Sequence, residues 1–284
     1  HYRIALWILR RTGTGSRGLL AGFMLSTAFM SMWISNTATS IMMLPIATSV
    51  LAVLPKASAE KMERPLLLSI AWAANIGGMA TIIGTPPNMI FAGFLSEQLD
   101  RQIGFVEWLP IGLSASVTIG LSAYAILSRS LRTLALSPQE QKETERYLQQ
   151  EWDRLGSMTK AQRKVAIIFT STALLWIMRP YLGALSAHIH WSDTGISLLA
   201  AVLLFSLTGE SGKNLLDWES TSKLPWGILI LFGGGLALAG TLQQSYWFEA
   251  LEVGMKSFEN IPILFWVIIM ALLGVFATEL LGHL

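Results

Sequence analysis

The chain has 284 residues, of which 52% are hydrophobic and 13% are charged, and its formal net charge is +2. Soluble domains contain about 25% charged residues, so this composition and a mean hydropathy of +0.52 exclude an ordinary soluble protein and indicate a polytopic helical membrane protein. The small net charge gives no support to nucleic-acid binding. The absence of cysteine removes disulfides and thiolate metal sites from consideration.

Several apolar stretches approach the length of a membrane helix, which is about 20 residues. They cover residues 19–54, 65–95, 109–128, 165–182, 194–209, 225–242 and 261–281. Seventeen of the 20 Lys and Arg residues lie in polar segments that alternate with segments poor in basic residues; the basic ones are 1–18, 55–64, 129–164 and 210–224. The positive-inside rule predicts that these segments are cytoplasmic, and for a bacterial source the membrane would be the inner one.

The first apolar stretch must begin and end on the same side of the membrane for this alternation to hold. Its arms, Leu19–Ile34 and Ala38–Leu54, flank the polar triplet Ser35-Asn36-Thr37. Each arm reaches roughly 24 to 26 Å at 1.5 Å per residue, which is less than the hydrocarbon thickness of about 30 Å. These lengths favour a re-entrant helical hairpin with the triplet at its tip, although two complete short spans would also return to the same side.

A second polar interruption, NIGGMATIIGTPPN, runs from Asn75 to Asn88 inside the next apolar stretch. Gly84 frees the backbone there, and Pro86 and Pro87 lack the N–H groups that would continue the helix. We therefore predict a broken helix. At membrane depth such a break must face protein or water, and it exposes carbonyls that can ligate a cation and a helix N-terminus that can hold an anion.

Both interruptions also have a purely structural interpretation, because Gly, Pro, Ser and Thr commonly form kinks and packing surfaces in membrane helices. Two breaks that each contain Asn and Thr favour the functional interpretation instead. Paired discontinuous helices are the sequence pointer to the substrate and ion site of a secondary transporter.

Weak internal repetition points to the same class of protein. Aligning Phe29 with Phe276 places Ser31 opposite Thr278, and by the charge pattern the second copy starts from the opposite side of the membrane. This predicts inverted topology. The predicted organisation is a first repeat with hairpin and broken helix, a cytoplasmic connector and an incomplete second repeat ending in a hairpin arm; these cover residues 1–128, 129–164 and 165–284.

The connector contains the longest hydrophilic stretch, residues 137–164. The helical spacing of Tyr147, Leu148, Trp152 and Leu155 predicts an amphipathic helix there, with its apolar face at the membrane interface.

Three motifs, ISNTATSIMMLP, IIGTPPN and LPWGILILFGGGLALA, resemble those of the divalent anion/sodium symporter family, and the resemblance extends over essentially the whole chain. It implies an all-α polytopic membrane protein that forms homodimers in the lipid bilayer. It also implies an inverted-repeat transporter, with re-entrant hairpins and broken helices, that carries dicarboxylates, citrate or sulfate together with sodium.

Carried over to this sequence, the resemblance implies a first sodium site formed by Ser31, Ser35, Asn36 and the carbonyl of Gly84. Thr278 matches the corresponding position of a second sodium site. These donors are neutral oxygens, so the site avoids a formal charge buried at the membrane midplane, which is expensive.

The same resemblance assigns the substrate carboxylate to Asn36 and Thr37 and to the helix break at Thr85 and Pro86. Amide and hydroxyl donors there suit a small anion, and residues 18–54 contain no Lys, Arg, Asp or Glu.

The chain departs from the family pattern where a second Ser-Asn-Thr triplet is expected, since it has Gly282-His283-Leu284 instead. The second Pro-Pro-Asn break is also missing. We therefore expect a truncated or frame-shifted piece of a transporter, with half of the binding site absent and no transport by this chain alone.

Other classes remain as alternatives. A sodium/proton or arsenite carrier is expected to place a carboxylate within the membrane. The predicted membrane stretches contain no Asp or Glu before Glu279. A non-transporting membrane remnant is a further alternative. The motifs HExxH and GxSxG are absent, so the sequence predicts no enzyme and no organic cofactor, only sodium.

Overall fold

The computed structural model describes residues 1–185, 191–210, 212–222, 224, 226–243, 245–246, 250, 253–254 and 261–281. Among these residues the regular secondary structure is helical, apart from an isolated bridge between Thr208 and Asn214. The predicted all-α class is therefore confirmed. The chain divides by packing into two compact units, residues 1–221 and 222–284. Because packing units are not repeats, the repeat boundaries stay a prediction.

The first unit contains ten helices among its described residues: α1 Tyr2–Thr12, α2 Ser16–Ser31, α3 Asn36–Val53, α4 Lys56–Ala80, α5 Pro86–Leu99, α6 Phe105–Ser130, α7 Pro138–Arg154, α8 Lys160–Leu185, α9 Asp193–Ser206 and α10 Trp218–Thr221. The described part of the second unit contains α11 Trp226–Gln243 and α12 Ile263–Leu281. By length and composition, α3, α6 and residues Lys160–Leu182 of α8 could each cross a membrane, and α9, α11 and α12 contain shorter apolar stretches.

Both predicted interruptions are breaks between helices. The first separates α2 from α3, where Ser35 is the N-cap residue and its Oγ accepts a hydrogen bond from the N–H of Ala38 at 3.3 Å. The second separates α4 from α5, which begins with Pro86 directly after the extended residue Thr85. The residue types explain both positions, because Ser is a favourable N-cap and Pro is tolerated in the first turn of a helix.

The basic segments meet at one end of the first unit. Ser16 Oγ, at the start of α2, donates to the carbonyl of Leu134 at 2.7 Å. Ser58 Oγ, just after α3, donates to Glu140 Oε1 at 2.6 Å. The α2–α3 hairpin therefore begins and ends at the same end of the bundle, as the charge pattern predicted; how deeply it enters a membrane stays a prediction.

The amphipathic stretch of the connector forms α7, and part of its apolar face packs against α1. Leu148 is 1% exposed and belongs to the main hydrophobic core together with Leu6 and Leu9 of α1. Tyr147 and Trp152 pack against the same core. Protein helices therefore cover Leu148, and contact of the half-buried residues of this face with the membrane interface stays a prediction.

Two hydrophobic clusters organise the first unit. The main core lies among α1, α2, α3, α4, α6 and α7, and its fully buried side chains include Phe23, Met43 and Leu66. A smaller cluster joins Phe105 at the start of α6 to Trp176 of α8 and Ile196 of α9. Phe105 stacks on Trp176 with ring centroids 5.2 Å apart.

Candidate functional site

The tip of the α2–α3 hairpin lies against the C-terminal turns of α4. Ser31 Oγ, which is fully buried, is 2.8 Å from Asn36 Oδ1 and 2.6 Å from the carbonyl oxygen of Ala74. A hydroxyl has a single proton to donate. The hydroxyl can therefore donate a full hydrogen bond to only one of these two oxygens. A cation bound beside Ser31 and Asn36 would give the other oxygen a partner.

Asn36 is oriented by a second contact to α4. Its Nδ2 donates to Asn75 Oδ1 at 3.0 Å, and Asn75 Nδ2 donates in turn to the carbonyl of Ala71 at 3.2 Å. This chain of amides leaves the carbonyl oxygen of Asn36 directed toward Ser31.

Gly78, in the last turn of α4, lies between the hairpin tip and the break that follows this helix. A Cβ at Gly78 would stand 2.4 Å from Asn36 Oδ1, and a Cβ at Gly84 would stand 2.5 Å from the carbonyl oxygen of Gly78. Asn36 is the first residue of α3, and Gly84 directly precedes Thr85, the N-cap of α5. The N-termini of α3 and α5 therefore converge on Gly78.

Asn88 and Thr81 tie the two breaks together. Asn88 Nδ2 donates to the carbonyls of Gly78 at 2.9 Å and of Thr81 at 2.8 Å. Thr81 Oγ1 donates to the carbonyl of Met32, in the first break, at 2.5 Å. Because these contacts satisfy backbone groups that the interrupted helices leave free, they hold both non-helical segments in one arrangement.

The predicted residues occupy distinct positions in this arrangement. Ser31, Asn36 and Gly84 are brought together around Gly78. The other candidates lie at the helix starts: Ser35 caps α3 and is exposed, Thr37 is exposed in the first turn of α3, Thr85 is the half-buried N-cap of α5, and Pro86 is the exposed first residue of α5.

Thr278 lies within α12 in the second unit, and its side chain is outside the described residues. Gly282-His283-Leu284, where the sequence departs from the expected triplet, also lies outside them. The second sodium site stays a prediction.

Four residues of the arrangement were not singled out from sequence: Asn75, Gly78, Thr81 and Asn88. Asn75 and Asn88 bound the interrupted motif, and an asparagine within an apolar stretch signals a need for a hydrogen-bond partner. Their partners could not be chosen from spacing, because those partners belong to other turns and to another helix.

The site is formed by neutral groups. Residues 18–54 and 65–96 contain no Asp, Glu, Lys or Arg, so hydroxyl, amide and carbonyl groups supply its polarity. Hard cations prefer oxygen ligands of this type, and helix N-termini favour anions. A separate cavity of about 510 Å³ lies among α2, α4 and α6, but its lining, which includes Leu25, Phe29 and Val117, is largely apolar and does not suit a dianion.

Comparison with known proteins identifies the family. A family model described as citrate transporter matches residues 1–283. The chain belongs to the citrate transporter family. This membership, together with the apolar helices, makes it a multi-pass integral membrane protein of a transporter family rather than an enzyme.

Two curated relatives that match this chain are named as sodium-dependent dicarboxylate transporters. The chain is 33% identical to the sodium-dependent dicarboxylate transporter SdcS of Staphylococcus saprophyticus, in an alignment that covers 100% of this chain and 56% of that protein. It is also 33% identical to SdcS of Staphylococcus aureus, over 93% of this chain and 53% of that protein. The chain therefore spans about half the length of the curated relatives it matches.

Proposed function

We propose that this chain forms part of a secondary transporter that moves di- or tricarboxylates, or related divalent anions, across the membrane together with sodium. The observation that carries the proposal is the convergence of the N-termini of α3 and α5 on Gly78, beside the buried hydroxyl of Ser31 and the half-buried side-chain oxygen of Asn36. The names of the relatives support sodium and dicarboxylate as the transported species.

Sodium would lie at the hairpin tip. Ser31 Oγ, Asn36 Oδ1 and the carbonyl at Gly84 are the proposed ligands, with Ser35 at the mouth of the site. The single hydroxyl proton of Ser31 lies between two oxygens, those of Asn36 and Ala74, and this supports the proposed position. A cation there would be coordinated by lone pairs of these oxygens, which the one proton cannot satisfy together.

The anionic substrate would lie at the two helix starts. Asn36 and Thr37 begin α3, while Thr85 and Pro86 begin α5. Free N–H groups and the positive end of each helix dipole would face the carboxylate there. A sodium ion beside Asn36 would add positive charge to the same place, which gives a physical reason for coupled binding.

The complete carrier would be a homodimer with inverted repeats, in which a re-entrant hairpin moves with its bound ions relative to a scaffold. A second sodium site at Thr278 would complete the arrangement. Since hydrogen bonds from Thr81 to Met32 and from Asn36 to Asn75 join the broken helix to the hairpin, the two would move as one body.

Sodium binding by the purified chain, followed by ²³Na NMR, tests the proposed first site directly. We expect Asn36→Ala to weaken sodium binding by roughly 5- to 150-fold, because it removes one of the proposed oxygen ligands, a loss of about 1–3 kcal/mol. Asn214→Ala, on an exposed loop residue, is the matched control and should bind as the unaltered chain does. Equal sodium affinity of the two variants contradicts the proposed site.

Substrate coupling is tested by binding of labelled succinate and citrate in sodium chloride and in choline chloride. Binding that requires sodium and is lost in Asn36→Ala supports the proposal. Binding of either anion that is unchanged in choline contradicts sodium coupling, while sodium binding without anion binding limits this chain to the cation site.

A further inference from the structure

Helix α1 has one buried face and one exposed apolar stripe. Leu6 and Leu9 are fully buried in the main core. On another face Ile4 and Trp7 are 40% and 46% exposed, and Ile8 is half-buried. Residues with this spacing form one line along a helix. An exposed tryptophan in such a line needs a partner that is apolar on one side and polar on the other.

An apolar groove runs beside this stripe. It has a volume of about 420 Å³, and its lining combines the stripe with one aromatic residue each from α2 and α7; the residues are Arg3, Ile4, Trp7, Ile8, Phe29 and Trp152. Leu25, one turn before Phe29, is 57% exposed on α2. The groove therefore continues onto an apolar surface of the hairpin arm.

The segment that carries the stripe is basic and has no acidic residue of its own. Residues 1–18 contain four Arg and no Asp or Glu. Arg11 continues the stripe by one turn and lies over the Trp7 ring, 4.2 Å from its centroid, while Arg17 is exposed at the start of α2. Neither forms a salt bridge within the described part of the chain.

The acidic groups of α7 that face α1 have other partners. Glu151 accepts a hydrogen bond from the Tyr2 hydroxyl at 3.1 Å and pairs with Arg154 at 2.6 Å. Arg3 donates to the carbonyls of Leu155 and Gly156. Of the arginines in α1, Arg11, which lies over the groove residue Trp7, therefore remains available to an anionic group.

We propose that this groove binds an anionic phospholipid of the cytoplasmic leaflet, with an acyl chain against Ile4, Ile8 and Phe29 and the phosphate at Arg11 and Arg17. A helix with an apolar stripe, a tryptophan and flanking arginines is suited to the membrane interface, and the basic segments face the leaflet that carries anionic lipid. The bound lipid would anchor the base of the α2–α3 hairpin, because only residues 13–15 separate α1 from α2.

The absence of cysteine permits a direct test of the acyl contact. The variant Ile4→Cys is labelled with a nitroxide and reconstituted in vesicles of equal parts phosphatidylglycerol and phosphatidylcholine. The control is Glu145→Cys, on the exposed side of α7, with the same label. We expect the label at position 4 to be accessible to oxygen and shielded from a water-soluble nickel chelate, and the control to be accessible to the chelate. Shielding from both reagents would mean that protein covers the stripe, and access to the chelate would mean that water does; either result overturns the proposal.

The head-group contact is tested with the delipidated chain in detergent, titrated with phosphatidylglycerol, phosphatidylcholine of the same acyl chains, or glycerol phosphate. We expect a preference for phosphatidylglycerol that falls about fivefold for each of Arg11→Gln and Arg17→Gln. The variant Arg129→Gln/Arg132→Gln, at exposed positions in the last turn of α6 and directly after it, removes the same charge as Arg11→Gln/Arg17→Gln together and should change the preference less than twofold. An equal loss of phosphatidylglycerol preference in the Arg11/Arg17 and Arg129/Arg132 variants would mean that general surface charge causes the preference. Glycerol phosphate that binds as well as phosphatidylglycerol would mean that the site takes a free phosphate. Either result overturns the lipid assignment. Neither readout depends on sodium or dicarboxylate, so failure here is distinguishable from failure of the proposed transport function.

Discussion

The side-chain oxygen of Asn36 lies against the main chain of Gly78, so closely that a Cβ at position 78 would stand 2.4 Å from it. The hairpin tip fits the broken helix only because this position has no side chain. The contact links residues from two separate interruptions, and the candidate sodium site depends on it.

Gly78→Ala should therefore damage the ion site. The added methyl group must displace the Asn36 side chain, because real Cβ contacts are not found at 2.4 Å. We expect at least a tenfold loss of sodium affinity with little loss of helix content, measured by ²³Na NMR and circular dichroism. Gly93→Ala in α5, where a Cβ meets open space, is the control. Unchanged sodium binding in Gly78→Ala would remove Asn36 from the site.

Gly77→Ala should act on stability instead. Its Cβ would stand 2.1 Å from the carbonyl oxygen of Ala28 in α2, and backbone cannot rotate aside as a side chain can. The α2 and α4 helices must separate, at a cost of about 1–3 kcal/mol in the free energy of unfolding. Gly120→Ala in α6, with only an ordinary contact at 3.7 Å, should be neutral or slightly stabilising. Denaturant unfolding in detergent compares the two, and equal stabilities would contradict the close helix contact.

Asn88→Asp should destabilise the break more than Asn88→Ala does. The amide of Asn88 donates to the carbonyls of Gly78 and Thr81, and the side chain is 9% exposed. Aspartate has nearly the same shape but brings a negative charge against two carbonyl oxygens. We expect a loss of about 1–3 kcal/mol for alanine and a larger one for aspartate, measured as unfolding midpoints. Aspartate that is tolerated as well as alanine would show that Asn88 does not serve as a donor there.

Arg179 of α8 joins two carboxylates from different helices. Its guanidinium lies 3.1 Å from Glu107 of α6 and 3.0 Å from Asp193 at the start of α9, and the latter contact is ionic rather than an aligned hydrogen bond. Asp193 also accepts a hydrogen bond from the N–H of Phe105 at 2.9 Å. A double-mutant cycle with Arg179→Gln and Asp193→Asn should give a coupling energy of about 1 kcal/mol that decreases with added salt.

The pair Lys56 and Glu60 provides the reference for that cycle. The charged atoms of Lys56 and Glu60 are 4.0 Å apart, and both side chains are largely exposed within one helix. We expect a coupling near zero there. Similar couplings for both pairs would show that the Arg179 contacts add nothing beyond surface charge.

The contact between α7 and the start of α4 should weaken in acid. Hydrogen bonds from Ser58 and from Ser137 hold the pKa of Glu140 below its ordinary value of 4.5. A lowered pKa in the folded state means that the unfolded chain binds more protons, so this stabilisation is fully present above pH 4.5 and is lost as the pH falls through the lower folded value. The protection factors for hydrogen exchange at residues 55–64, which are corrected for the intrinsic pH dependence of amide exchange, should therefore decrease in acid, and Glu140→Gln should remove that decrease. Exchange that responds to acid equally in both proteins would assign the effect to another group.

Local chemistry placed the two helix breaks. Ser35 caps a helix with its own hydroxyl, and Pro86 lacks an N–H, so each acts within a few residues of sequence and could be recognised without a structure. The shared side of the basic segments was also predictable, because a membrane sorts charge along the whole chain. The contacts between Ser16 and Leu134 and between Ser58 and Glu140 agree with that prediction.

Only the tertiary structure decided which groups meet across the breaks. Asn36 and Gly78 are far apart in sequence, and neither hydropathy nor spacing states how α3 is rotated against α4. The same holds for α7, whose apolar face could have met lipid or protein; its contact with α1 depends on a second amphipathic helix folding onto it. Residue types by themselves determined where the helices stop and what chemistry is available there, since those effects are local. The assembly of Ser31, Asn36, Gly78 and Asn88 into one site required packing between separate helices, because hydrogen-bond partners are chosen by position in space rather than by order along the chain.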